Sequence, residues 1–258
     1  MTHPPSYRRI LHKMGYYEYQ HGIIRRHINQ KGGWDKHLEH CRDIILRAID
    51  MLHPEKITVL GSGWLLELPL AEMIEKAKEI VLIDIIHPPE VISQSADYKS
   101  VKLIEEDISG GLIEEVWKKA GKRTFFNRLT SLDTIVIPQY LFEDDPGMVI
   151  SLNILTQLES LPIRLLKKKS RVDDEMFLEF RKEIQTNHIS LLENHKSVLI
   201  SDTSEVFTMN NGYSYEELTM VIDIPEGRVT EDWIWDFDTK GLDYNMKRSV
   251  LKVTARIL

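Results

Sequence analysis

The sequence predicts an α/β domain with a doubly wound, mostly parallel sheet, and three observations predict it. Short apolar, β-branched runs open at Ile57, Ile80 and Val101, and each closes on Gly, Asp or Pro. The stretches between them carry apolar residues at helical spacing. Parallel neighbours cannot be joined by a tight turn, so strands separated by helices point to βαβ crossovers. The tail differs: two apolar runs there have too little chain between them for a covering helix.

In order along the chain, residues 5–32 are rich in Tyr, Arg and His and read as short helices ending at Gly32-Gly33. From Trp34, the residues Leu38, Cys41, Ile44, Ile45, Ala48 and Leu52 recur at helical spacing until Pro54 stops the pattern. Ile57–Leu60 is a first strand, broken by Gly61-Ser62-Gly63, and a helix is expected from about Leu66 to Ala77. Ile80–Ile83 is a second strand closed by Asp84. Val101–Ile104 is a third, closed by Asp107 and Gly110-Gly111, and Leu112–Ala120 is helical. Asp133–Ile137 reads as a fourth strand stopped by Pro138, followed by a helix around Ser151–Leu158 that ends before Pro162. A long helix runs from about Asp173 to Asn194, and Val198–Ile200 is a fifth strand ending in Ser201-Asp202-Thr203. Trp233–Phe237 and Ser249–Ile257, separated by the segment around Gly241, read as an antiparallel pair at the sheet edge. Residues 1–33 form a helical N-terminal extension and 34–258 the main domain.

Composition narrows the function. A chain of 258 residues with 42 % apolar residues supports one large core. A net charge of −7 disfavours broad electrostatic binding to nucleic acid, which needs a cationic face. The first thirty residues are a local exception, since Arg8, Arg9, Lys13, Arg25 and Arg26 face only Glu18; a solvated helical face is the simpler account. Cys41 is the only cysteine, so no intrachain disulfide is expected and a reducing, cytoplasmic setting is natural. The start of the chain lacks the apolar core of a signal peptide, and no apolar run is long enough for a membrane span. The composition leaves a homo-oligomer open.

The glycine pair carries the chemical argument. Without Cβ atoms at Gly61 and Gly63 the backbone can turn sharply and let a ligand approach closely. Asp84 ends the next strand, where a carboxylate accepts hydrogen bonds from ribose hydroxyls. Together these point to an adenosine-containing ligand. A dinucleotide site would want a third glycine and a free helix N-terminus for pyrophosphate. Here Gly63 is followed by Trp64, Leu65, Leu66 and Glu67, which suit a sulfonium with a zwitterionic tail better.

This order of features resembles the class I S-adenosylmethionine-dependent methyltransferase family over roughly residues 55–258. The resemblance implies a Rossmann-like methyltransferase fold with an antiparallel C-terminal strand pair and S-adenosylmethionine (S-adenosyl-L-methionine) as cofactor. It implies cofactor contacts from Gly61, Ser62, Gly63, Asp84 with Ile85, Asp107 with Ile108, and Pro138. Two positions depart from the family pattern: Val59, where an acidic residue is frequent, and Leu65, where a third glycine is. Extensions such as residues 1–33 often act in that family as a lid, and Tyr16, Tyr17, Tyr19 and Trp34 would supply rings for stacking.

Acceptor contacts are sought beyond the carboxyl ends of the strands. Candidates are Gln139 and Tyr140 after the expected fourth strand, and Asp202 after the fifth, which would serve equally as a turn residue. Asn153 and Gln157, four apart, share a helical face that either meets the crevice or is a solvated stripe. His188 falls on an apolar stripe and reads as a satisfied core histidine before a catalytic base. His37, His40 and Cys41 have the spacing of a metal clamp, but no fourth ligand is evident and Cys41 belongs to the apolar stripe, so no metal is expected. The resulting expectation is a methyltransferase acting on a small-molecule acceptor. The alternatives are an NAD-dependent oxidoreductase and a catalytically silent binding subunit of the same fold.

Overall fold

The computed structural model describes residues 3–241 and 247–258. Three helices come first: α1 (Pro5–Met14), α2 (Tyr16–Gln30) and α3 (Asp35–Leu52). Pro5 sits where a helix start tolerates proline, and Gly15, at φ 92°, ends α1 and turns the chain directly into α2. Then β1 (Lys56–Leu60), α4 (Leu70–Lys76), β2 (Glu79–Asp84), α5 (Pro89–Ser95), β3 (Val101–Glu105) and α6 (Leu112–Ala120) alternate as expected. The second half holds β4 (Met148–Leu152), α7 (Ser160–Lys169), α8 (Asp174–Glu193), β5 (Ser197–Thr208), β6 (Ser214–Leu218), β7 (Val229–Asp238) and β8 (Arg248–Ile257).

The strands form one sheet in the order β3-β2-β1-β4-β5-β8-β7, with β6 on the far half of β5. The first five strands of that order pair in parallel, whereas β8 is antiparallel to both β5 and β7. The fold is therefore doubly wound and mostly parallel, with the antiparallel C-terminal pair the sequence predicts. One apolar core joins α3 and α4 to one face of the sheet and includes Trp233 and Trp235; the other joins α1, α6, α7 and α8 to the opposite face. Among the described residues, no helix is long and apolar enough to cross a membrane.

Four local expectations are corrected. The fourth strand is Met148–Leu152, not Asp133–Ile137, which has no strand pairing and leaves Val136 66 % exposed. A five-residue, fully buried run cannot be told from helix by periodicity, and the polar residues after Ser151 fall at helical spacing. Consequently Ser151–Leu158 is a strand end and turns, and the helix that follows contains Pro162 in its first turn instead of ending before it. First-turn N–H groups have no helical acceptor, so proline costs little there. The helix expected from Leu66 begins only at Leu70, because Pro69 disfavours helical backbone at Leu68. Finally, β5 does not end at Ser201-Asp202-Thr203 but continues to Thr208 through a bulge between Asp202 and Ser204, and its second half pairs with β6. The polar, mostly exposed β6 carries no apolar alternation that would reveal it.

The extension is built into the structure. Leu11 is fully buried and Met14 nearly so, both in the core that α6, α7 and α8 share, while Ile23 packs against the opposite core.

Candidate functional site

The chain winds outward from β1 to β3 in one direction and from β4 to β5 in the other. The point where the order reverses, beyond the carboxyl ends of β1 and β4, is where open α/β sheets hold ligands. The glycine loop lies there. Gly61 has φ 81°, and a Cβ on it would come within 2.8 Å of the Leu152 carbonyl oxygen and the Ile154 Cβ, so this glycine serves close packing of the loop on the β4 end. Gly63, at φ 53°, is different: a Cβ there would meet only the Gly61 carbonyl oxygen, at 3.9 Å. Its Cα faces open space on the cavity wall. Leu65, where the resemblance would place a third glycine, still holds the left-handed backbone a glycine favours, at φ 59°.

Asp84, at the end of β2, closes this loop. Its Oδ2 accepts the Gly63 N–H at 2.7 Å, and its Oδ1 lies 3.2 Å from the Gln20 Nε2 donor and 3.5 Å from the Ile86 N–H. Burial pushes the Asp84 carboxyl above its ordinary value, while His87 and the N–H groups of Gly63, Ile86 and Ile85 pull it back. Asp107 lies beyond β3. It accepts the Tyr7 hydroxyl at 2.9 Å, the Ser109 N–H at 3.0 Å and the Ser109 hydroxyl. Burial raises its pKa too, opposed by those donors. Thus α1 and α2 each send one side chain to a cleft carboxylate. His3 adds a contact, its Nε2 2.9 Å from the Ile85 carbonyl oxygen, and the Trp64 indole donates to the Gln20 carbonyl at 2.9 Å.

A cavity of about 100 Å³ runs under α2 between Gly61, Gly63, Asp84, Ile85, Asn153 and Gln157. A smaller pocket continues it past Asp107, Ile108 and Ser109, sharing Tyr16, Asp84 and Ile85. Most of the cofactor residues named from the sequence therefore converge. Ser62 is fully buried beneath the loop, its hydroxyl without a partner. Pro138 stands apart, lining a separate small pocket with Tyr140 and Ile108. Tyr140 donates its hydroxyl to Glu106 at 3.0 Å, and Gln139 is exposed, its amide 3.3 Å from Asn187 Oδ1.

With β4 at Met148–Leu152, it is Asn153 that ends the fourth strand. Asn153 is buried at φ 49°, its Nδ2 lies 3.3 Å from His37 Nε2, and its Oδ1 has no partner. Glu67 also lines the cavity; burial raises its pKa against the pull of Asn153 and Arg42. His37 is stacked on Trp235 at 3.6 Å and accepts the Trp233 indole N–H at 3.1 Å. Burial lowers its pKa to about 3, which keeps it neutral. His188 is a buried partner of the Ser151 hydroxyl at 2.8 Å, its pKa lowered to about 4 by burial.

A second cavity, of about 650 Å³, adjoins the first through Tyr19, Gln157, Ser160, Trp235 and Phe237. Asp202 lines it and accepts the Thr156 hydroxyl at 2.6 Å. Glu159 and Glu205 line it as well. Sequence reasoning missed Tyr7, Gln20, Glu159 and Glu205, whose roles depend on how helices and loops close over the sheet. Only the β4 correction gave a usable signal, since it brings Thr156–Ser160 to the strand end.

The sequence matches no family model and no curated protein. Similar solved structures include the Burkholderia thailandensis 1,6-didemethyltoxoflavin-N1-methyltransferase with bound 1,6-didemethyltoxoflavin and S-adenosylhomocysteine. It is 11 % identical, with 100 % of this chain and 91 % of that one covered and a TM-score of 0.44. The N-methyltransferase NodS from Bradyrhizobium japonicum WM9, in complex with S-adenosylhomocysteine, is 10 % identical, with 84 % and 86 % covered and a TM-score of 0.38. A DhpI complex with S-adenosylhomocysteine is 11 % identical, with 96 % of each chain covered and a TM-score of 0.31. Likeness at this level carries no argument about chemistry.

Proposed function

We propose that this protein binds S-adenosylmethionine in the cleft between β1, β2 and β4 and transfers its methyl group to a small-molecule acceptor. The observation that supports this most is the pairing of Asp84 with the Gly63 N–H at a loop whose second glycine faces open space. A carboxylate fixed there accepts ribose hydroxyls, and Asp107 with Ile108 would flank the base. Asn153 Oδ1, buried without a partner, and Glu67 are acceptors for the ammonium of an amino acid tail.

The same loop disfavours a dinucleotide. Six residues separate Gly63 from Leu70, where α4 begins, so no helix N-terminus backs the glycines. Pyrophosphate would lack the N–H array and dipole it relies on, and Glu67 would repel it.

The bound cofactor supplies a methyl group already activated by the sulfonium. The chain's own residues then bind, align and exclude water. The aromatic cover of Tyr16, Tyr19 and Trp64 and the buried Trp235 serve that purpose.

Calorimetric titration of the full chain with S-adenosylhomocysteine and, separately, with NAD tests the reading. Binding of the first and not the second is expected. NAD binding without S-adenosylhomocysteine binding overturns the proposal. Release of S-adenosylhomocysteine from S-adenosylmethionine in the presence of an acceptor separates an enzyme from a silent relative.

A further inference from the structure

The wide cavity beside the cofactor cleft has a chemical character of its own. Its walls come from α2, the β4–α7 turns, α7, α8, β5, β6, β7 and β8, and four rings face it: Tyr19, Phe177, Trp235 and Phe237. Five carboxylates line it, from Glu159, Asp174, Asp202, Glu205 and Glu217, against two cations, Lys167 and Arg181. Arg181 is engaged, and Lys167 stands exposed at the rim. Arg181 Nε donates to Glu159 at 2.6 Å and its Nη2 to the Thr219 carbonyl at 2.7 Å, while Lys167 lies over the Phe177 ring at 5.7 Å. Arg26 acts on Glu205 from α2 and sits over Phe237 at 4.2 Å, so one ring of this wall already carries a cation on its face. Glu159, only 3 % exposed, keeps its Oε2 without a hydrogen-bond partner, and the buried Trp235, between the two cavities, has an unpartnered indole N–H.

We infer that this cavity receives the acceptor, and that the acceptor is a cationic amine carried on a flat apolar body. The inference rests on the methyltransferase reading, because it takes the shared wall of Tyr19, Gln157, Ser160, Trp235 and Phe237 as the passage between cofactor and acceptor. An anionic acceptor would meet an excess of carboxylates, with Arg181 already paired to Glu159 and Lys167 exposed at the rim. An ammonium restores charge balance, and its apolar body stacks on the rings. The elevated pKa values agree with this. Burial, with Asp202 adding to it, pushes Glu205 up to about 7, against Ser249 and Arg26. Burial likewise pushes Glu159 to about 7 despite Arg181 and Gln185. A cation in the cavity favours the ionised form of both.

The test uses the full chain saturated with S-adenosylhomocysteine, whose own binding is measured first. Phenethylamine and tryptamine are then titrated in parallel with phenylpropionate and indolepropionate, which match them in shape and carry the opposite charge. The amines are expected to bind at least about tenfold more tightly than the acids. Glu205→Gln, close to isosteric, is expected to lower amine affinity about tenfold and leave S-adenosylhomocysteine affinity within twofold. Amine affinity in the parent protein is expected to rise from pH 6 to pH 8 as Glu205 ionises. The rim variant Glu217→Gln, at an exposed side chain, gives a smaller loss in the same direction and serves if Glu205→Gln does not fold. Equal binding of amines and acids, or amine binding indifferent to both substitutions, overturns the acceptor class and leaves the cofactor reading standing. Failure of S-adenosylhomocysteine to bind overturns the cofactor reading, and this inference with it.

Discussion

The two ends of the cleft treat their carboxylates differently. At the β2–β3 end, Asp84 and Asp107 each accept hydrogen bonds from backbone N–H groups and from one side chain of the N-terminal helices, Asp84 on a cavity of about 100 Å³ and Asp107 on the smaller pocket that continues it. At the β5–β6 end, Asp202 and Glu205 look onto about 650 Å³ of space, and Glu159 keeps an oxygen unpartnered. Fixed acceptors in a narrow space suit one invariant ligand, since their orientation costs nothing further on binding. Sparsely bonded acids in a wide space suit a ligand that supplies its own charge. The contrast teaches that the N-terminal helices belong with the first end: they complete it as well as cover it.

The strongest way to break this contrast is to loosen α1. Leu11 is fully buried in the core shared with α6, α7 and α8. Leu11→Ala is expected to cost about 2–5 kcal/mol of stability. Urea denaturation measures it. A loss under about 1 kcal/mol would show α1 to be an appendage and restore the picture of a detachable lid.

Next comes Asp84 itself. Asp84→Ala removes the acceptor that the Gly63 N–H and Gln20 now share. S-adenosylhomocysteine affinity is expected to fall by about 1.5–3 kcal/mol, roughly tenfold to a hundredfold. Calorimetry on a variant shown by thermal melting to be folded checks it. Unchanged affinity removes Asp84 from the site.

How much of this was legible in the sequence follows from the kind of signal each part sends. Gly63 and Asp84 lie only 21 residues apart, just beyond and at the ends of β1 and β2, and those strands are buried almost throughout, so local pattern suffices. Asn153 reads in the sequence as one face of a helix, whereas it ends β4. Five buried residues are too few to show a period, and the polar Ser151 within them is explained only by His188, 37 residues away. Tyr7 and Gln20 were illegible because their partners lie 100 and 64 residues downstream, and nothing local distinguishes a Gln that caps a carboxylate from one on a solvated face.

The wide end is sharpened by pH. The Glu205 carboxyl is raised from its ordinary value of 4.5 to about 7, chiefly by burial. Between those two pH values the unfolded chain has released its proton while the folded chain still holds it, so stability falls as pH rises through this window and levels off above it. Glu205→Gln removes that term. Its melting temperature is expected to match the parent near pH 4 and to exceed it by a few degrees at pH 8. Parallel melting curves across the range would place Glu205 in ordinary solvent and remove it from the cavity wall.

The smallest effect is expected at Gln139, and it decides which strand end faces the acceptor. Had the fourth strand been Asp133–Ile137, Gln139 would sit at its carboxyl end, over the crevice. Instead its side chain is exposed, with one 3.3 Å contact to Asn187, and its own carbonyl packs against Gly110. Gln139→Ala should change stability by less than about 0.5 kcal/mol and leave S-adenosylhomocysteine affinity and turnover within about twofold. Asn153→Ala is the counterpart. That residue is buried at the end of β4, on the cavity wall, with an unpartnered oxygen. Its loss should lower cofactor affinity by about 1 kcal/mol or more. Both variants are read in one assay, after thermal melting confirms that each is folded. If Gln139→Ala cripples turnover and Asn153→Ala does not, the reacting groups lie toward the pocket of Pro138 and Tyr140, and the wide cavity loses its role as the acceptor site.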